Sequence, residues 1–387
     1  MPPAESQRPA WAELFYDLAL IGAFLSFGVD FGKDPRWESA AVLALKLVVI
    51  FWAWEQSALF FNRFGDPFAP KLGARPTVSL LRASFLAQLI GIVALSLVEG
   101  DPLRLDNLPQ EIGMPSAAIM LAVALTHELG RRWRPDLADL ASARRNAALF
   151  AAGLFVVSEY PPSPWGSVLW IVALASILIS TAGPSLGRTL ERFPFDREHL
   201  SERVGLFVLI ILGDVFVKTV VTVHEDDSAP ADILQLSFVA LAVWMVWTLY
   251  ERNVAAFPAP NRPATVRTWL LAHFVLGSAL LIAGIGLVWY VAPAFQKTYG
   301  DWIAMVAVGG VGLAILAIAA MRTLTRDEGD GDSPVELLAI SAVTFVIGAL
   351  AWLATPSDWR VGVASMAFWL LLVNRLRYLR LRLSEPR

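Results

Sequence analysis

Long apolar stretches separated by short polar turns recur twelve times along the chain. By hydropathy they run over 11–29, 39–62, 77–98, 114–130, 144–159, 164–183, 200–223, 232–251, 266–292, 300–321, 334–354 and 359–375. A hydrocarbon core ~30 Å thick is crossed by about 20 helical residues rising ~1.5 Å each, and most of these stretches supply that length. They do not alternate apolar with polar, as the roughly 10-residue strands of a membrane barrel would. The pattern predicts an all-α, polytopic transmembrane helical bundle of about twelve helices. The fifth stretch is short and ends at Pro161-Pro162, so the fifth and sixth form the least sharply separated pair.

Composition strengthens this reading. Of 387 residues, 56% are hydrophobic and 17% charged, against roughly 25% charged in a soluble domain. The mean hydropathy is +0.57. No stretch is long enough for a separate soluble domain. A net charge of −3 gives no electrostatic case for nucleic acid. The absence of cysteine excludes disulfides, thiolate catalysis and Cys-ligated metal sites. The first ten residues are polar and lack the features of a cleaved signal peptide, so the first helix is expected to remain in the mature protein.

The polar turns carry an orientation signal. If there are twelve spans, 24 of the 31 Lys and Arg residues fall on the side that holds both termini, and five fall on the other. Lys46 and Lys218 lie inside spans. By the positive-inside rule both termini belong in the cytoplasm of a multi-pass inner (plasma) membrane protein.

A sequence echo divides the chain into two six-helix halves, 1–190 and 191–387. Arg75-Pro76-Thr77-Val78 opens the third span, and Arg262-Pro263-Ala264-Thr265-Val266 opens the ninth. At a similar offset Glu13 matches Glu202, and Trp52 and Trp54 match Trp244 and Trp247. An even number of helices per half preserves orientation, so the expected repeats are parallel.

Ionisable residues inside spans are the candidate chemistry. A charge at mid-bilayer costs roughly 2.5–3.5 kcal/mol, so such residues mark ion or substrate pathways unless they are neutralised for packing alone. Glu13 and Asp17 share a helix face at the start of span one. Glu13 also suits a helix N-terminus electrostatically, whereas Asp17 runs straight into apolar sequence. In span seven, His199, Arg203, Asp214 and Lys218 fall on one face, with Asp214 near mid-depth and Lys218 one turn later as its partner in sequence. That pair serves either as a functional site or as a self-neutralised packing contact. In span two Lys46 and Glu55 lie on opposite faces, so each needs a partner from elsewhere. His273 in span nine reads as a hydrogen-bonded packing residue or a proton relay. The expected ion pathway comprises Glu13, Asp17, Glu55, His199, Glu202, Arg203, Asp214, Lys218 and His273, with Asp214 at its centre. His127-Glu128 lacks the second histidine of a zinc-protease helix, and Glu128–Arg132 reads as a surface pair. The acidic run 327–332 does not fit a calcium loop and reads as a solvated linker. No catalytic motif, metal site or cofactor site is expected.

Glu13-Leu-Phe-Tyr-Asp17-Leu resembles the E-L-F-F-D-L motif of the bacterial low temperature requirement A (LtrA) family. His199-Leu-Ser-Glu202-Arg203-Val-Gly205-Leu-Phe, followed by Ile211-Leu-Gly213-Asp214, is similar to that family's H-L-x-E-R-x-G-L-F…L-G-E-S. The aromatic end of span eight and His273 also fit, and the likeness covers essentially the whole chain. The sequence departs at Asp214-Val215, where the family has Glu-Ser: the carboxylate is kept and the hydroxyl lost. The resemblance implies a membrane protein without naming a reaction. The expected function is a proton- or cation-coupled secondary transporter of an unknown small solute or ion, and not an enzyme. An ion channel and a membrane-embedded metal-dependent enzyme are the alternatives. Lipid is the expected partner, and a homo-oligomer is left open.

Overall fold

The computed structural model of the chain describes residues 11–33, 37–69, 72, 75–98, 108–162, 164–182, 192–225, 233–325, 333–354 and 359–384. Among them there are twelve α-helices and no strand. The helices are α1 (Trp11–Lys33), α2 (Trp37–Phe64), α3 (Pro76–Ser96), α4 (Leu108–Trp133), α5 (Ala138–Val157) and α6 (Trp165–Ala182). They continue with α7 (Arg197–Glu225), α8 (Ile233–Tyr250), α9 (Pro263–Val291), α10 (Pro293–Leu324), α11 (Pro334–Ala354) and α12 (Trp359–Ser384). Each apolar stretch of the sequence forms one helix. Ten described helices are long and apolar enough to cross a membrane, and shorter apolar helices occupy 165–179 and 362–375. The acidic run 327–332 and the region around Ser228 lie outside the described residues.

Proline fixes several helix starts. Pro76, Pro263, Pro293 and Pro334 each open a helix, where the missing N–H is not needed and the fixed φ suits the first turn. Several helices extend past the expected bounds, α4 and α5 at their starts and α12 at its end, and Pro293 explains the shifted start of α10. The tenth stretch was expected from residue 300, but α10 begins at Pro293, directly after the break at Ala292. α8 ends in a π-helical turn, Glu251–Ala255.

The residues fall into two compact units, Met1–Arg203 with Asn261–Arg267, and Val204–Pro260 with Thr268–Arg387. In the first, α4 packs on α3 and α5, α5 on α6, α1 on α2 and α3, and α2 on α4. Small residues permit the close approaches: a Cβ on Gly91 would stand 2.8 Å from the Ile119 side chain. A polar seam adds hydrogen bonds. Tyr16 donates to Gln88 at 2.9 Å, and Gln88 donates to Thr126 at 2.6 Å, tying α1, α3 and α4 together.

In the second unit, α10 packs on α11 and α12, α11 on α12, and α8 on α10 and α12. Gly310 lies so near Ala283 of α9 that a Cβ there would stand 2.6 Å from the backbone nitrogen, and Gly286 meets Ala307 of α10 even more closely. Close backbone approach through small residues is how membrane helices gain packing energy where lipid removes the hydrophobic drive.

Large apolar side chains cover the outer faces. Leu80, Leu86, Ile90, Val93 and Leu97 on and after α3, and Val335, Leu338, Val346, Leu350 and Leu353 on α11, are exposed. Contiguous apolar surface of this kind needs an apolar solvent.

Candidate functional site

The first unit buries an ion network built from the two motifs. Asp17 is 0% exposed, Arg203 1%, and Glu13 and His199 3% each. Glu13 and Asp17, one helical turn apart on α1, present both carboxylates to Arg203 in the first turns of α7. Arg203 donates from Nη1 to Glu13 Oε2 at 2.9 Å, from Nη2 to Asp17 Oδ1 at 3.0 Å and from Nε to Asp17 Oδ2 at 3.3 Å. The fork on Asp17 is bidentate, the strong geometry for a guanidinium. Trp54 of α2 donates its indole N–H to Asp17 Oδ1 at 2.7 Å. The Phe61 ring lies 5.3 Å from the guanidinium carbon. An apolar cleft of about 340 Å³, lined in part by Phe15, Tyr16, Phe61 and Phe85, adjoins these residues.

His199 is oriented by a short chain of bonds. Asn62 Oδ1 accepts from the Asp196 N–H at 2.9 Å, which fixes its amide. Asn62 Nδ2 then donates to the Asp196 carbonyl at 2.8 Å and lies 3.2 Å from His199 Nδ1. Nδ1 is therefore the acceptor, and in the neutral ring the proton sits on Nε2. Nε2 lies 3.4 Å from Glu13 Oε2, outside hydrogen-bond geometry. The Asp196 carboxylate caps α7 by accepting the N–H groups of Glu198 and His199 at 3.1 and 3.0 Å.

Two buried carboxylates, Glu13 and Asp17, share the guanidinium of Arg203.

The other sequence candidates lie elsewhere. Glu202 is exposed on α7. Its echo partner Glu13 is buried, so the two positions sit in unlike surroundings; the same holds for buried Trp52 and exposed Trp244. Glu55 is buried in the first unit, within Coulombic reach of Arg63, Arg144 and Arg267. Lys46 donates to the Val98 carbonyl at 3.2 Å and lies 5.0 Å from the Phe27 ring centre.

In the second unit Asp214 and Lys218 form the expected i,i+4 pair at 3.9 Å, with side chains 22% and 31% exposed. Asp214 stands at the margin of the packed face, beside exposed Gly213 and Phe216. His273 is fully buried. Its Nδ1 donates to the Trp269 carbonyl at 2.8 Å, so Nε2, 3.1 Å from the Tyr250 hydroxyl, accepts. Both ring nitrogens are engaged, as in a packing histidine. On α4, Glu128 binds Arg131, Arg132 and Arg145 at the surface, at 2.7, 3.0 and 2.6 Å.

Apolar outer faces around buried, hydrogen-bonded charge define a polytopic helical membrane protein. The profile of the bacterial low temperature requirement A protein (LtrA) matches residues 8–372. The chain belongs to the LtrA family. It is similar to an uncharacterized protein of Rhizobium meliloti (strain 1021), with 24% identity over 347 residues, 83% of this chain and 78% of that one. No solved structure matches.

Proposed function

We propose that this LtrA family protein is a secondary transporter coupled to protons or another cation, with the Glu13–Asp17–Arg203–His199 network as its coupling site. The observation that carries the reading is the sharing of one buried guanidinium, Arg203, by two buried carboxylates, Glu13 and Asp17, with His199 beside them. Paired carboxylates buried inside a membrane protein suit binding and release of a proton or cation. The wider arrangement is a pair of parallel six-helix repeats in the bacterial inner membrane, with both termini in the cytoplasm. Support for the repeat comes from matching neighbours: α4–α5, α5–α6 and α2–α4 in one unit correspond to α10–α11, α11–α12 and α8–α10 in the other. Support for the orientation comes from the skew of basic residues.

Asp17→Asn tests the coupling site with little structural disturbance. The amide oxygen keeps the Trp54 hydrogen bond, and Glu13 remains bonded to Arg203. Folded yield is expected to match the parent, while solute uptake into proteoliposomes driven by an imposed ion gradient falls at least about tenfold. Unaltered gradient-driven uptake in the variant defeats the coupling role. Unitary currents in place of saturable flux defeat the transporter reading itself.

Orientation has its own check. A membrane-impermeant thiol reagent applied to intact cells is expected to label a cysteine placed at Ser228 and to spare one at Asp136, which is exposed between α4 and α5. The opposite pattern reverses the topology.

A further inference from the structure

A second buried cluster lies in the first unit. Glu55 on α2 is 7% exposed, Arg144 on α5 is 4% exposed and His127 on α4 is 3% exposed. Arg63, two turns after Glu55, and Arg267, at the start of α9, complete the group. Glu55 is within Coulombic reach of all three arginines, and His127 is within reach of Arg63 and Arg144. Two guanidinium groups with buried donors, Arg63 and Arg144, therefore share one carboxylate, Glu55, where a desolvated ion costs several kcal/mol.

The hydrogen bonds are incomplete in a directed way. Among the described residues, Arg144 Nη1 and Nη2, Arg63 Nε and Nη2, and His127 Nδ1 are buried with no hydrogen-bond partner. The neighbouring Arg145 shows the contrast, since it bonds Glu128 at the surface. Glu55 attracts the arginines without accepting a hydrogen bond from Arg63 or Arg144. Planar guanidinium forks with open donors match the paired oxygens of a carboxylate or phosphate.

We propose that Arg63 and Arg144, assisted by the charge of Arg267, form a binding site for an oxyanion, a phosphate or carboxylate group. Glu55 is the counter-ion of the anion-free protein and competes with the ligand for the arginine field. His127 joins through its neutral ring. That the bound oxyanion is the transported solute rests on the transporter reading above; binding itself does not.

The test is thermal stabilisation of the purified full-length protein in detergent, titrated with inorganic phosphate and with acetate against chloride at equal ionic strength. A ligand that binds the folded state alone raises the melting temperature with concentration. The expected result is a saturable rise with at least one oxyanion, weakened about tenfold or more in Arg144→Gln. Glu55→Gln should bind the same ion several-fold more tightly, a gain that misfolding cannot mimic. A rise only with phosphatidylglycerol, lost in Arg144→Gln, keeps the site and makes its occupant a lipid headgroup. No oxyanion-specific rise in either form, a rise undiminished in Arg144→Gln, or weaker binding in Glu55→Gln overturns the proposal. Intact binding without uptake of that ion sinks only its role as transported solute.

Discussion

Replacing Arg203 by methionine is expected to destabilise the protein by about 3–5 kcal/mol, because two carboxylates then lie buried without their cation. Arg203 makes three hydrogen bonds to Glu13 and Asp17, all between groups no more than 3% exposed. Methionine keeps much of the side-chain volume, so the loss reports charge more than packing. Folded yield and melting temperature in detergent give the measurement. The triple variant Arg203→Met, Glu13→Gln, Asp17→Asn removes the stranded charge and should recover most of the stability while lacking gradient-driven uptake. Failure of the triple variant to recover would show that the cluster holds the helices by geometry beyond its charge balance.

The second large effect is steric and lies at the α9–α10 contact. Gly310→Leu is expected to cost more than about 3 kcal/mol, above the usual range of overpacking, because the new Cβ meets backbone. That Cβ would stand 2.6 Å from the Ala283 nitrogen and 2.8 Å from its Cα. The adjacent Gly309 is the control, since a Cβ there meets nothing within 4 Å. Gly309→Leu should change stability by less than about 1 kcal/mol. Equal melting temperatures for the two variants would mean that α9 and α10 do not approach as closely as described.

The helices were legible from hydropathy because length and apolar character are local properties. The start of α10 differs because Lys297 reads by hydropathy as a loop charge, while Pro293 at the first helical position opens the helix. The acids of the first network were also legible, since Glu13 and Asp17 stand at helical spacing against an apolar run. Their partner was placed on the correct face of α7, but its distant pairing was not foreseen: no local pattern joins Arg203 to α1. Asp214 was expected at the centre, yet the most deeply buried charges lie nearer the helix starts. Arg63 and Arg144 were counted only as loop charges that set orientation. Arg144 and Arg145 are adjacent and alike in type, and only packing sends one into the protein and leaves the other at the surface. The spacing of Glu55 and Arg63, two turns apart on α2, was the one available hint.

The pairing of Glu13 with Arg203 across 190 residues also constrains biosynthesis. Chains grow at roughly 5–20 residues per second, so the acids of α1 wait some ~10–40 s for their cation to leave the ribosome. Throughout that interval the first helix carries two acids that hydrocarbon rejects. It must linger near the membrane surface, hold protons on both acids, or shelter against the insertion machinery. Productive insertion of the N-terminal helix is thus tied to synthesis of the middle of the chain, and truncations ending before α7 should be cleared by membrane proteases.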